Sequence, residues 1–299
     1  SFVAYDFDDH RVNRLLGLDE KREGAIACIG INGETAFRAF DANDMAVAEP
    51  TAAVLSAGRV SRREVFYEEI GEIHSQSCRC VASVGVPRIG PDDLGLDVEA
   101  WKPVGASGGP ADHPWKMSGT GAMIRRRSCR NFVPEHLSRN RLEAMLDMVC
   151  RAYPPPGLEN PDAASHVVCT GFLCRNVESL EEGFYLIDPV GRRIGRVRAG
   201  ALTKAMADAC LNQAWLKNAA LHFVFMTCLD TLHKHRGARG YRYAMMSAGR
   251  LGHEVYLAAT ALGLGCCGIG AFYDNEAESL MGINASSALL YLAAAGPVR

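Results

Sequence analysis

Two hydrophobic periods run through the chain, and they are interleaved. Leu142, Met145, Leu146 and Val149 recur at helical spacing after Ser138, a residue suited to cap a helix N-terminus. Pro154-Pro155-Pro156-Gly157 predicts where that helix stops. Val167-Val168-Cys169 with Phe172-Leu173, then Gly183–Asp188, then Leu221–Met226, read as strands. Leu202–Lys217 reads as a helix. The strongest helical pattern spans Tyr243–Leu262. There Ala244, Ala248, Leu251, Val255, Ala258 and Leu262 share one face, and Gly263 stands where a C-terminal cap belongs. Leu289–Ala295 predicts a closing strand. Helices and strands mix without a strict βαβ rhythm, which points to an α+β layered fold.

The same pattern contains an echo. Phe7-Asp8-Asp9 and Leu15-Leu16-Gly17-Leu18-Asp19 align, at one offset of 265, with Phe272-Tyr273-Asp274 and Leu280-Met281-Gly282-Ile283-Asn284. Each copy then runs through an apolar stretch to a glycine, Gly30 in one and Gly296 in the other, with one indel. A repeat of this kind divides the chain into three. Residues 1–34 are expected to be the tail of a first, incomplete copy of the fold, so that the natural protein is longer or cleaved. Residues 35–119 are expected to be a connector, with a helix within Leu55–Cys78 and a loose Gly105–Pro110 linker. Residues 120–299 form the main domain.

Composition changes this picture little. The 299 residues are 48% hydrophobic and 22% charged, values of a globular chain rather than a disordered or collagen-like one. A net charge of −2 supplies no basic field for nucleic acid, and no apolar run is long enough to span a membrane. Eleven cysteines without a CxxC pair, and a start without a signal pattern, read as reduced thiols in a cytoplasmic protein.

Two segments could carry chemistry. Arg125-Arg126-Arg127-Ser128-Cys129-Arg130-Asn131-Phe132 clusters guanidinium forks around a hydroxyl, which suits a phosphate or equally a solvated basic face. Gly263-Leu264-Gly265-Cys266-Cys267-Gly268-Ile269-Gly270 lets backbone approach a flat ligand or another backbone closely. It follows a helix, so it is no dinucleotide fingerprint.

In combination these motifs resemble the FMN-dependent nitroreductases, over roughly residues 120–299. Gly183-Phe184-Tyr185 with Asp188-Pro189, Tyr241-Arg242-Tyr243, Tyr256-Leu257-Ala258-Ala259 and Gly270-Ala271-Phe272 extend the likeness toward the SagB/ThcOx branch of azoline dehydrogenases. The repeated tail suggests a tandem version. The resemblance implies an antiparallel or mixed sheet flanked by helices in a homodimer. It implies FMN held by Arg126, Arg127, Ser128 and Arg130, with the Gly268-Ile269-Gly270 backbone beside the ring. The expected activity is hydride transfer between flavin and a small or peptide-derived substrate, with NAD(P)H or another electron donor or acceptor. The alternative is a non-catalytic flavin-binding or assembly subunit of a natural-product biosynthetic complex.

The likeness breaks at one point. His235-Arg236 stands where the branch carries Lys-Tyr, which speaks against azoline oxidation itself. His235 becomes the candidate proton shuttle, as the residue type suited to acid–base work near neutral pH, and Arg236 the residue expected to orient an anionic substrate group. No metal site is expected, since His74 and Cys78 alone supply too few ligands.

Overall fold

The computed structural model describes residues 2–4, 7–30, 56, 63–78, 87–104, 116–153 and 164–299. The Gly105–Pro110 linker and the Pro154–Gly157 stop both lie outside the described residues. These residues fall into two compact units.

The first unit contains strand β1 (Phe2–Ala4), helix α1 (Asp9–Leu16), strand β2 (Cys28–Gly30) and helix α2 (Glu68–Ser77), together with residues 233–243. β1 and β2 pair antiparallel, Phe2 opposite Gly30. Asp8 caps α1 by accepting the Arg11 N–H at 2.9 Å. Gly17, in the left-handed region at φ 66°, ends it. α2 is the 10-residue C-terminal part of the stretch expected to hold a helix, and residues 64–67 before it are not helical.

The second unit is built on a seven-stranded, wholly antiparallel sheet in the order β3-β6-β5-β4-β7-β9-β8. The strands are β3 (Trp101–Pro103), β4 (Cys169–Cys174), β5 (Gly183–Asp188), β6 (Arg193–Ala199), β7 (Leu221–Cys228), β8 (Gly265–Ile269) and β9 (Ser287–Gly296). β4 and β7 are buried at every position, as strands covered on both faces must be. Phe172, Phe184, Phe223 and Phe225 are fully buried on neighbouring strands. The helices of this unit are α3 (Gly119–Arg125), α4 (Arg139–Arg151), α5 (Thr203–Ala209) and α8 (Asp274–Met281), with the first half of α6 (Leu229–Arg236) and, from Ala244 on, α7 (Arg239–Ala261); residues 233–243 of these last two belong to the first unit. The fold is the expected α+β arrangement.

α7 runs four residues further back than its apolar stripe predicts, to Arg239. At its other end Gly263 adopts φ 70° while the Leu264 N–H returns to the Ala259 carbonyl at 2.8 Å. The helix expected over Leu202–Lys217 breaks instead into α5 and a 3-10 turn at Ala214–Asn218. Leu211 and Asn212, both left-handed at φ 57° and 56°, separate the two pieces, a conformation no helix can carry. The glycine-rich stretch, read as backbone able to approach a ligand or another backbone closely, contains β8, the edge strand of the sheet. Arg193, Arg196 and Arg198 lie on β6, in a hairpin with β5, and Arg193 and Arg196 are ion-paired, to Asp188 and to Glu99 and Glu181.

Candidate functional site

The arginine-rich segment leaves α3 in extended conformation and runs along the open edge of β8. Ser128 pairs with Cys266 in a parallel bridge, and the Cys129 N–H donates to the Cys266 carbonyl at 2.8 Å. Alternation along an extended chain then sorts the side chains. Ser128 reaches Tyr256 on α7, its Oγ 3.0 Å from the phenol oxygen. Arg130 lies near enough to Cys267 for its charge to lower the thiol's pKa. On the other side Cys129 packs against Gly265, and Arg127 folds back to donate to the carbonyls of Ile124 (3.1 Å) and Arg126 (2.8 Å).

Three of these arginines differ from most of the others. Arg139, Arg151, Arg192, Arg193, Arg196, Arg239 and Arg242 all meet a carboxylate. Among the described residues no carboxylate pairs with Arg126, Arg127 or Arg130, and all three are exposed. An un-neutralised guanidinium cluster with a hydroxyl in its middle is a donor set for an anion. That chemistry fits the phosphate and ribityl chain of FMN.

Tyr256 joins the arginine segment to β8. Its oxygen accepts the Gly268 N–H at 2.6 Å while meeting Ser128. Burial pushes its hydroxyl pKa up against those two bonds. The Cys267 thiol is also raised by burial, although Arg130 and Ser128 pull it down. Gly268 is a glycine for a packing reason. A Cβ there would fall 1.6 Å from the Tyr291 hydroxyl, and one at Gly252 would fall 2.6 Å from the same ring. Gly270, just past the end of β8, has open space where a Cβ would be.

The structure thus brings Ser128, Arg130 and Gly268 together, with Arg126, Arg127, Ile269 and Gly270 on the same two segments. Tyr256 is the member that motif reading passed over, because its ring lies on a helix far away in sequence. His235 and Arg236 belong to the first unit. His235 is exposed at the end of α6. Arg236 is buried instead of facing a substrate, and its guanidinium lies 5.3 Å over the Tyr243 ring. That packing argues against the direct substrate contact expected of it.

A buried polar cluster of the first unit carries no motif signature in the sequence. Arg239, 1% exposed, donates to the Asp9 carboxylate, to the Ser77 carbonyl (3.0 Å) and to the Tyr243 hydroxyl (2.8 Å). Arg242 binds the same carboxylate at 2.6 Å and also the Ala25 carbonyl. Among the described residues no group of three His, Cys, Asp or Glu could hold a metal, all ten cysteines are free, and no helix is long and apolar enough to cross a membrane.

Residues 123–296 match the nitroreductase family. The chain belongs to the nitroreductase family. A nitroreductase-type protein of Methanocaldococcus jannaschii is 30% identical over 170 residues, which is 56% of this chain and 86% of that protein. A nitroreductase-type structure from Anabaena variabilis superposes with a TM-score of 0.70 at 22% identity, over 99% of this chain. The chain spans 60% of that relative's length. A second, from Ralstonia eutropha, gives a TM-score of 0.50 at 19% identity, covering 73% of this chain and 96% of the other. At these identities the two structures speak for the fold. Family membership makes this nitroreductase-family chain an oxidoreductase.

Proposed function

We propose that the chain is an FMN-dependent oxidoreductase that moves hydride between flavin and a small or peptide-derived substrate. The observation that carries this reading is the set of exposed guanidinium groups, un-neutralised by any described carboxylate, along the edge of β8. Bound flavin would supply hydride chemistry; the protein supplies position and electrostatics. Arg126, Ser128 and Arg130 grip the phosphate and ribityl chain, Arg127 adds positive field beside them, and the Ile269-Gly270 backbone lies along the ring. One phosphate grip without a second pyrophosphate loop favours FMN over FAD. NAD(P)H or another carrier exchanges electrons with the site. His235, exposed on α6, is the group that holds or releases a proton, while the Arg236 guanidinium lies over the Tyr243 ring.

The finer affiliation belongs to the same proposal. Conserving the order Gly183-Phe184-Tyr185, Asp188-Pro189 and Tyr241-Arg242-Tyr243 supports the SagB/ThcOx branch. The coincidence of α1 with α8 at a constant offset supports a tandem arrangement, with residues 1–34 the end of one copy, 35–119 a connector and 120–299 the FMN domain. The active form is a homodimer. A non-catalytic flavin-binding subunit is favoured by one observation, His235-Arg236 in place of Lys-Tyr with Arg236 buried.

The test is reconstitution with FMN and with FAD. The wild-type protein should take up FMN and show flavin absorbance, and Arg130→Ala should lower occupancy. A protein that stays colourless sinks the reading. Oxidation of NAD(P)H with a dye acceptor then separates enzyme from flavin-bearing subunit.

A further inference from the structure

We infer that Tyr256 is a positioning residue that presets the Ser128 hydroxyl as a hydrogen-bond donor toward an anion. The inference rests on the flavin reading of the same site.

It follows from the direction of each hydrogen bond. The Gly268 N–H can only donate, so at 2.6 Å the Tyr256 oxygen accepts. Tyr256 has one proton of its own. Its other partner is the Ser128 Oγ at 3.0 Å, so that proton goes to Ser128, which accepts. The serine hydrogen is then left to point elsewhere. A backbone amide, a phenol and a serine thus form a relay with one polarity, and each member strengthens the next. The relay delivers a donor rather than an acceptor beside Arg130.

The exposure of the two side chains supports the same assignment. Ser128 and Arg130 are both exposed and alternate onto one side of the extended segment. The freed serine hydrogen and the guanidinium are thus available together to a phosphate oxygen, which forms short, charge-assisted bonds. Tyr256 itself need not touch the ligand. It also cannot drift, because its oxygen holds β8 and the arginine segment at once.

The experiment is equilibrium binding of FMN and of riboflavin, which lacks the phosphate, followed by flavin fluorescence. The proteins are wild type, Tyr256→Phe, Ser128→Ala and the double variant. Tyr256→Phe keeps the ring and its packing, and thermal melting in the absence of flavin checks that it folds. Expected are a roughly tenfold or larger rise in the FMN Kd for each single variant, little change for riboflavin, and a double variant no weaker than Ser128→Ala alone. Equal loss of FMN and riboflavin in Tyr256→Phe would reduce the residue to a structural prop and overturn the relay. So would a Tyr256→Phe protein that binds FMN as tightly as wild type while Ser128→Ala does not. A wild-type protein that takes up no FMN overturns the flavin reading itself, and the relay with it.

Discussion

One strand–helix–strand pattern occurs twice in this molecule, with two fates. α1 and α8 coincide end to end at an offset of 265, Asp9–Leu16 on Asp274–Met281, and each is closed by a left-handed glycine, Gly17 at φ 66° and Gly282 at φ 77°. Each helix joins two strands that pair antiparallel with one another, β1 with β2 and β8 with β9. Beyond the backbone they part. Met281 is 1% exposed and its counterpart Leu16 is 61% exposed. Leu280 packs on the core of the second unit, whereas Leu15 faces solvent. The acid at the first helical position reverses the order: Asp9 is buried under two guanidinium groups, and Asp274 is exposed. Local sequence fixes the helix, its start and its stop. What each side chain buries against depends on the surrounding chain.

The strongest way to break the comparison is at the acids. Asp9→Ala leaves the buried Arg239 and the part-buried Arg242 without their carboxylate, at a cost of about 3–5 kcal/mol. Hydrogen exchange should show α1 and residues 239–243 losing protection together. Asp274→Ala should cost no more than about 1 kcal/mol, the scale of an exposed acid near a helix N-terminus. Equal effects would mean that Asp9 is not the hub of the first unit. The apolar positions come next. Met281→Ala should cost about 2–5 kcal/mol in global unfolding, and Leu16→Ala within about 0.5 kcal/mol. A large effect at Leu16 would show that its face is covered.

These contrasts also mark what could be read in the sequence. Gly183–Asp188 and the α7 stripe with Gly263 are short-range patterns, and each was legible because its signal lies within a few residues. The break at Leu211-Asn212 was not, because neither residue advertises a positive φ. β8 was hidden for another reason. Gly265 and Gly268 erase strand propensity, yet they are needed so that Val298 and Tyr291 can pack where a Cβ would stand. In the candidate site the arginine and glycine segments were visible as motifs. Tyr256, which ties them together, and Asp9, which holds Arg239 from 230 positions away, were not, because only tertiary structure makes them neighbours.

Acid should separate the two units more gradually. His222 on β7 is fully buried with its Nε2 on the Leu216 carbonyl at 3.0 Å, and burial lowers its pKa to about 4. A depressed histidine contributes stability that is complete above the unfolded value near 6.5 and is lost as pH falls toward 4. The second unit should therefore lose on the order of 3 kcal/mol across that window. Thermal melting against pH should show the slope, and His222→Phe should flatten it. An unchanged slope would assign the acid response to carboxylates instead.

The smallest expected effect tests how far the two helices are really alike. α1 has a side-chain cap, Asp8 accepting the Arg11 amide, whereas Tyr273, at the corresponding place before α8, has none. Asp8→Ala removes the acceptor for one of the four orphan amides of the first turn, worth about 1 kcal/mol. Tyr273→Asp would supply the missing acceptor and should stabilise α8 by a similar amount, since the residue is exposed and its backbone is already extended at φ −80°. α8 is held by core packing through Met281 and Ala277, so its gain should appear only in global stability. α1, whose Leu15 and Leu16 are bare, should register the lost cap locally as faster exchange of the Arg11 amide. Exchange at Arg11 that does not change in Asp8→Ala would mean that the Asp9 network alone holds the start of α1, and that the shared sequence pattern contributes nothing to it.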